Sequence, residues 1–186
     1  ILSYGQDDRV CAFTSLFAML DVENAKRTGC CLLVDKEEIG SVGATGMHSR
    51  FFENTVAELV ALTEGESELK VRRALANSRM LSSDVSAAYD PMFAEAFEKR
   101  SAAFFTKGLA FNKFTGSRGK SGSNDANAEY LARLRKVMDD AGVTYQFAEL
   151  GKVDVGGGGT IAYIMANYGM EVIFFFKQKT AYEVSW

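Results

Sequence analysis

A chain of 186 residues has room for one domain, or a piece of one, and excludes a tandem multidomain protein. Apolar residues at 47% and charged residues at 24% exclude a disordered tail, because that composition can bury a core. With 21 basic against 24 acidic residues the net charge is -3, so no global positive field exists to hold nucleic acid.

No run approaches the roughly 18 apolar residues of a membrane span, and Ile1 to Asp8 lacks the basic start and apolar middle of a signal peptide. A cytoplasmic protein with neither a membrane nor a nucleic-acid partner is expected. Cys11, Cys30 and Cys31 are odd in number and lack CxxC spacing, so they read as reduced core residues. The chain starts at Ile1 and holds a single proline, where about 5% of residues is usual. Truncation is the expectation.

Val10, Phe13, Leu16, Phe17 and Leu20 recur at helical spacing, with Asp8 placed to cap the first turn. Cys30 to Val34 is a short apolar run that fits a buried strand, followed by Asp35, Glu37 and Glu38. Gly40, Gly43 and Gly46 make a loop before a second helical stripe, Phe51, Phe52, Val56, Leu59 and Val60, which reads as core. Thr63 to Lys70 is a charged surface insertion. Met80 to Val85, carrying Asp84, and Leu109 to Phe114 read as strands, and Thr115 to Asn124 as a polar loop. Leu131, Leu134, Val137 and Met138 mark a helix stopped by Gly142; a strand over Val143 to Leu150 and a helix over Thr160 to Tyr168 follow. This alternation predicts an α/β domain with a mostly parallel or mixed sheet and helices on both faces.

Asp7, the Glu37 and Glu38 pair, and Asp84 come from three separate segments, each at an element boundary. Adjacent like charges beside a strand end call for a compensating positive charge, which a divalent metal supplies compactly. Such an ion lowers the pKa of its water from 15.7 towards about 7, and a neighbouring carboxylate accepts the proton. Spacing alone leaves open the alternative that these acids are surface charges near helix N-termini.

Five segments carry a more specific signal: DDRVCAFTSL (7–16), CLLVDKEEIGSVGATGMHSRFFEN (31–54), MLSSDVSAAYDP (80–91), FNKFTGSRGKSGSNDANAEY (111–130) and ELGKVDVGGGGTIAYIMANYGM (149–170). In this order they resemble the aspartyl aminopeptidase and aminopeptidase I family of dinuclear zinc exopeptidases. The resemblance implies removal of an N-terminal residue from a peptide substrate at a centre of two divalent metal ions, zinc, in the C-terminal portion of a catalytic domain over residues 1–173. It implies that Asp7 bridges the metals, Glu37 is the general base, Glu38 ligates one ion and Asp84 the other. Gly158 and Thr160 fall in a glycine-rich turn that the family sets beside its substrate. The family forms homo-oligomers, dodecameric shells.

The chain also departs from the family pattern. Neither of the family's two histidine ligands has a counterpart, and His48, the single histidine, falls where the family places no ligand. The run FFFKQKTAYEVSW, residues 174–186, looks like the translation of a sequencing-library adapter and is set aside as a non-native tail. An isolated chain that is nearly inactive follows as an expectation. Two other classes compete: a dinucleotide-binding module, from the G-x-G-x-x-A match at Gly157 to Ala162, and a noncatalytic assembly fragment. GSRGKS at Gly116 to Ser121 lacks two residues of a phosphate-binding loop and reads as a flexible loop.

Overall fold

The computed structural model describes residues 4–116, 121–155 and 161–179. Five helices and four strands follow in the order α1 (Gln6–Leu20), α2 (Phe51–Glu64), α3 (Glu68–Ala76), β1 (Arg79–Ala87), β2 (Leu109–Lys113), α4 (Ala128–Asp140), β3 (Tyr145–Glu149), α5 (Ala162–Ala166) and β4 (Glu171–Lys179). Two 3-10 turns, Glu37–Ile39 and Pro91–Ala96, join them. Local chemistry sets the boundaries. The Asn127 side chain accepts from the Tyr130 N–H at 2.8 Å and starts α4, while Gly142, at φ +64°, follows its last residues. Ser67 does the same for α3, accepting from the Lys70 N–H at 3.3 Å.

The strands form one mixed sheet in the order β1-β4-β2-β3. β1 and β4 are parallel, from Arg79 opposite Glu171 to Ala87 opposite Lys179; β2 and β3 are parallel, and β2 meets β4 antiparallel at Ala110 and Phe111. Gly108 leads into β2 at φ +80°, where an added Cβ would lie 2.1 Å from the Thr144 carbonyl oxygen, so only glycine lets the two chains approach. Alternate residues of β4 feed two cores. Val172 and Phe174 join Met47, Leu75, Ala110, Ile164 and Met165 on one face, backed by Phe52, Val56 and Val71 of α2 and α3. Ile173 joins Phe111, Tyr130 and Leu134 on the other, beneath α4. The sheet with helices on both faces is as the alternation predicts.

Several expectations are corrected. Cys30 to Val34 is not a strand: no neighbouring ladder pairs with it among the described residues, and a strand without a partner leaves its amides to water. Leu32 and Val34 still pack against the core, but Leu33 is 57% exposed, Cys30 is exposed and Cys31 half-buried. Cys11 alone of the three thiols is a core residue. The stripe on α1 exists, yet Phe13 and Phe17 are 56% and 58% exposed, and Phe51 and Leu59 of α2 are exposed as well. Asp8 does not cap α1; Gly5 occupies the cap position with no side-chain bond. The charged stretch after Thr63 is at the surface as expected, but it holds the end of α2 and the start of α3, whose apolar positions are hidden in the charge-rich run ELKVRRALA. No helix among the described residues is long and apolar enough to cross a membrane.

The backbone of residues 174–179 continues β4 between β1 and β2, and Phe174 is 3% exposed. Phe174→Ala is expected to cost about 3–5 kcal/mol of stability, read as a lower urea midpoint for the unfolding of the purified chain.

Candidate metal centre

Helix α1 carries the first acids. Asp7 and Asp8 sit in its first turn with non-helical backbone angles, joined by a cis peptide bond. One turn on, the fully buried Cys11 donates its thiol to the Asp84 carbonyl oxygen at 2.9 Å and ties α1 to β1. Ligand-competent oxygens of Asp7, Asp8 and Asp84 consequently lie within 4.8 Å of one another.

The Glu37–Ile39 turn carries the second set. It is bracketed by two left-handed residues, Lys36 at φ +67° and Gly40 at φ +91°. Asp35, just before it, is already neutralised: Lys36 Nζ lies 2.7 Å from its carboxylate, which also accepts from the Lys36 N–H and the Thr45 hydroxyl and stays below the usual range. Glu37 has no such relief. Burial pushes its carboxyl up, and the charges of Glu38, Asp7 and Asp8 push further.

Asp84 is the most perturbed. Burial drives its carboxyl from 3.8 up to about 7 against the Val85 N–H, which donates to Oδ1 at 2.7 Å, and Asp8, Asp7 and Glu37 add like charge. Asp8 is raised as well, by desolvation first, opposed by a bond with Cys11, and then by Asp7 and Glu38. No basic side chain contributes to these three shifts. Neighbouring carboxyls raised by burial and by one another fit a divalent ion, and oxygen donors of this kind are accepted by zinc as well as by harder metals.

The four acids singled out in the sequence thus converge unequally. Asp7 and Asp84 meet directly, while Glu37 and Glu38 are near enough to shift their neighbours but are not in the 4.8 Å set. Asp8 is the member that periodicity missed, having been read as a helix cap; its adjacency to Asp7 was the available signal. His48 stands apart from the cluster, its Nε2 3.1 Å from the Tyr163 hydroxyl. Gly158 and Thr160, most of the dinucleotide motif, and Ser117 to Lys120 of the polar loop lie outside the described residues.

Comparison with known proteins supplies a context for this geometry. A family model described as aminopeptidase I zinc metalloprotease (M18) matches residues 1–175. A probable M18 family aminopeptidase 1 of Clostridium acetobutylicum is 62% identical over 173 residues, which cover 93% of this chain and 37% of the relative. The crystal structure of aminopeptidase I from the same organism superposes with a TM-score of 0.83 at 60% identity, over 94% of this chain and 37% of that one. An M18 family aminopeptidase of Thermotoga maritima gives 0.89 at 40% identity, over 97% and 40%. The chain spans well under half the length of these relatives.

The raised Asp84 pKa has a definite sign. Between about pH 4 and 7 the folded chain holds a proton there that the unfolded chain has released, so the stability of the metal-free chain falls as pH rises through that window. Asp84→Asn removes this penalty, and its thermal midpoint should exceed that of the unsubstituted metal-free chain at pH 8 but not at pH 4. A divalent ion held by Asp84 would have to displace the same proton, so calorimetric titrations with zinc at pH 6 should show proton release that shrinks by pH 8.

Proposed function

The chain belongs to the aminopeptidase I zinc metalloprotease (M18) family, and from that premise we propose that it supplies most of the metal-binding and proton-transfer acids of an aminopeptidase that hydrolyses the N-terminal residue of a peptide. Two divalent ions, zinc, would be held by Asp7 between them, by Glu38 on one side and by Asp84 on the other. The single observation that carries this reading is the convergence of Asp7, Asp8 and Asp84 within 4.8 Å from segments nearly eighty residues apart. When bound, the ions supply Lewis-acid polarisation of the scissile carbonyl and of the attacking water.

The chain's own residues divide the remaining work. Glu37 takes a proton from the attacking water and returns it to the leaving amine; burial and Glu38 raise its carboxyl, which makes it a better proton acceptor than an ordinary glutamate. Asp8 presents a further oxygen beside Asp7 and adds negative charge to the ion-binding face. Gly158 and Thr160 would line the approach of the substrate backbone. The parent would assemble as a homo-oligomer, as an mApe1 neighbour at 23% identity does in its dodecamer structure. Histidine ligands are lacking here, and an oxygen-only set gives zinc less than its preferred mixture of nitrogen and oxygen. The isolated chain is accordingly nearly inactive.

The test is a chimaera in which residues 1–173 replace the matching part of the Clostridium acetobutylicum relative. It should cleave aminoacyl p-nitroanilides, whereas the isolated chain should not exceed its chelator-treated control. In the chimaera Glu37→Gln should lower kcat by about 10²–10⁴-fold with zinc content unchanged. A chimaera that binds zinc but keeps its rate after this substitution would show that Glu37 is not the base.

A further inference from the structure

His48 and Tyr163 are 115 residues apart in the chain, yet their polar atoms meet at 3.1 Å and their rings pack edge to face with centroids 6.0 Å apart. Tyr163 lies in the first turn of α5, which is packed on β4 and β1. His48 closes the loop that begins at the acidic turn, and a continuous chain of bonds runs between the two ends. The His48 N–H donates to the Ser41 carbonyl at 3.1 Å, and the Ser41 N–H donates to the Lys36 carbonyl at 2.7 Å, one residue before Glu37. The Asp35 N–H donates to the Thr45 carbonyl at 3.3 Å and closes the loop from the other side.

This loop has little freedom to absorb a displacement at one end. A Cβ on Gly46 would lie 2.3 Å from the Ser41 carbonyl oxygen and 2.4 Å from that of Val42, so the turn is drawn to backbone contact. Met47 is buried in the core beside it, and Ser41 is buried too. A shift of His48 is therefore transmitted through Ser41 to Lys36 and to the turn that carries Glu37 and Glu38.

We propose that His48 and Tyr163 form a clamp that positions the Glu37–Glu38 turn against the aspartates of α1 and β1. Neither residue is among the acids assigned to the metals; the pair acts through two backbone hydrogen bonds, and the proposal rests on the metal-centre reading of Glu38. A tyrosine hydroxyl both donates and accepts, so the contact can form with either protonation state of the imidazole. The clamp also gives the chain's single histidine a role that ligation does not.

Calorimetric titration of the 186-residue chain with zinc sulfate tests this. Tyr163→Phe and His48→Ala should each weaken zinc binding by about 3–10-fold, the worth of one net hydrogen bond, and His48→Gln, which keeps a polar partner for the hydroxyl, should restore it. The thermal midpoint of the metal-free chain should stay within about 2 °C, as for a surface substitution. In a Glu38→Gln background Tyr163→Phe should have no further effect, because the clamp works through that carboxylate. Unchanged affinity in Tyr163→Phe, or a full additional loss in the Glu38→Gln background, would overturn the clamp while leaving the metal centre standing. Failure of the unsubstituted chain to bind zinc at all would overturn the metal-centre reading and the clamp with it.

Discussion

The docking of α1 on β1 is the contact on which the site depends. Its anchor is the buried Cys11 thiol donating to the Asp84 carbonyl, a bond between the helix that carries two of the acids and the strand that carries the third. Once this contact forms, Asp7 and Asp8 cannot avoid Asp84. Carboxylates at such separations repel, and partial burial removes the water that would screen them. The metal-free chain meets the conflict by retaining protons, most clearly at Asp84. A divalent ion would resolve it with more charge in less space.

The acidic loop shows how local backbone geometry separates one carboxylate from the next. Asp35 is exposed and spends its charge on Lys36 and Thr45. Two residues later Glu37 faces Glu38, Asp7 and Asp8 instead. Between them lies Lys36 in the left-handed region, which reverses the chain direction; Gly40 reverses it again after the turn. The same short run therefore contains a self-neutralised acid and two that are turned towards a shared negative region.

Burial is uneven across the molecule. Both faces of β4 are covered over Val172 to Phe174, and the cores there are continuous with α2 to α5. The apolar stripe of α1 is largely open, as are Cys30 and Leu33 in the segment before the acidic turn. Phe13, Phe17 and Leu20 of that stripe are exposed at 56%, 58% and 69%.

Much of the fold was legible in the sequence because periodicity is a local property. Strands β1 to β3 and helices α1, α2 and α4 each announce themselves within about ten residues, and so does the alternation that places helices on both sides of the sheet. The resemblance pointed to Asp7, Glu37, Glu38 and Asp84 before any coordinates. Periodicity could not say whether a stripe would be covered, and so it overrated Phe13, Phe17, Leu33 and Cys30: burial depends on a second surface that the local pattern does not contain. It likewise could not find Asp8 or the His48–Tyr163 contact, since each depends on segments brought together only by the packing of α1, β1 and α5. The sequence by itself determined which residues bear charge and which face of each element is apolar. Tertiary structure alone decided which charges meet, because distances between remote segments are set by packing and not by spacing along the chain.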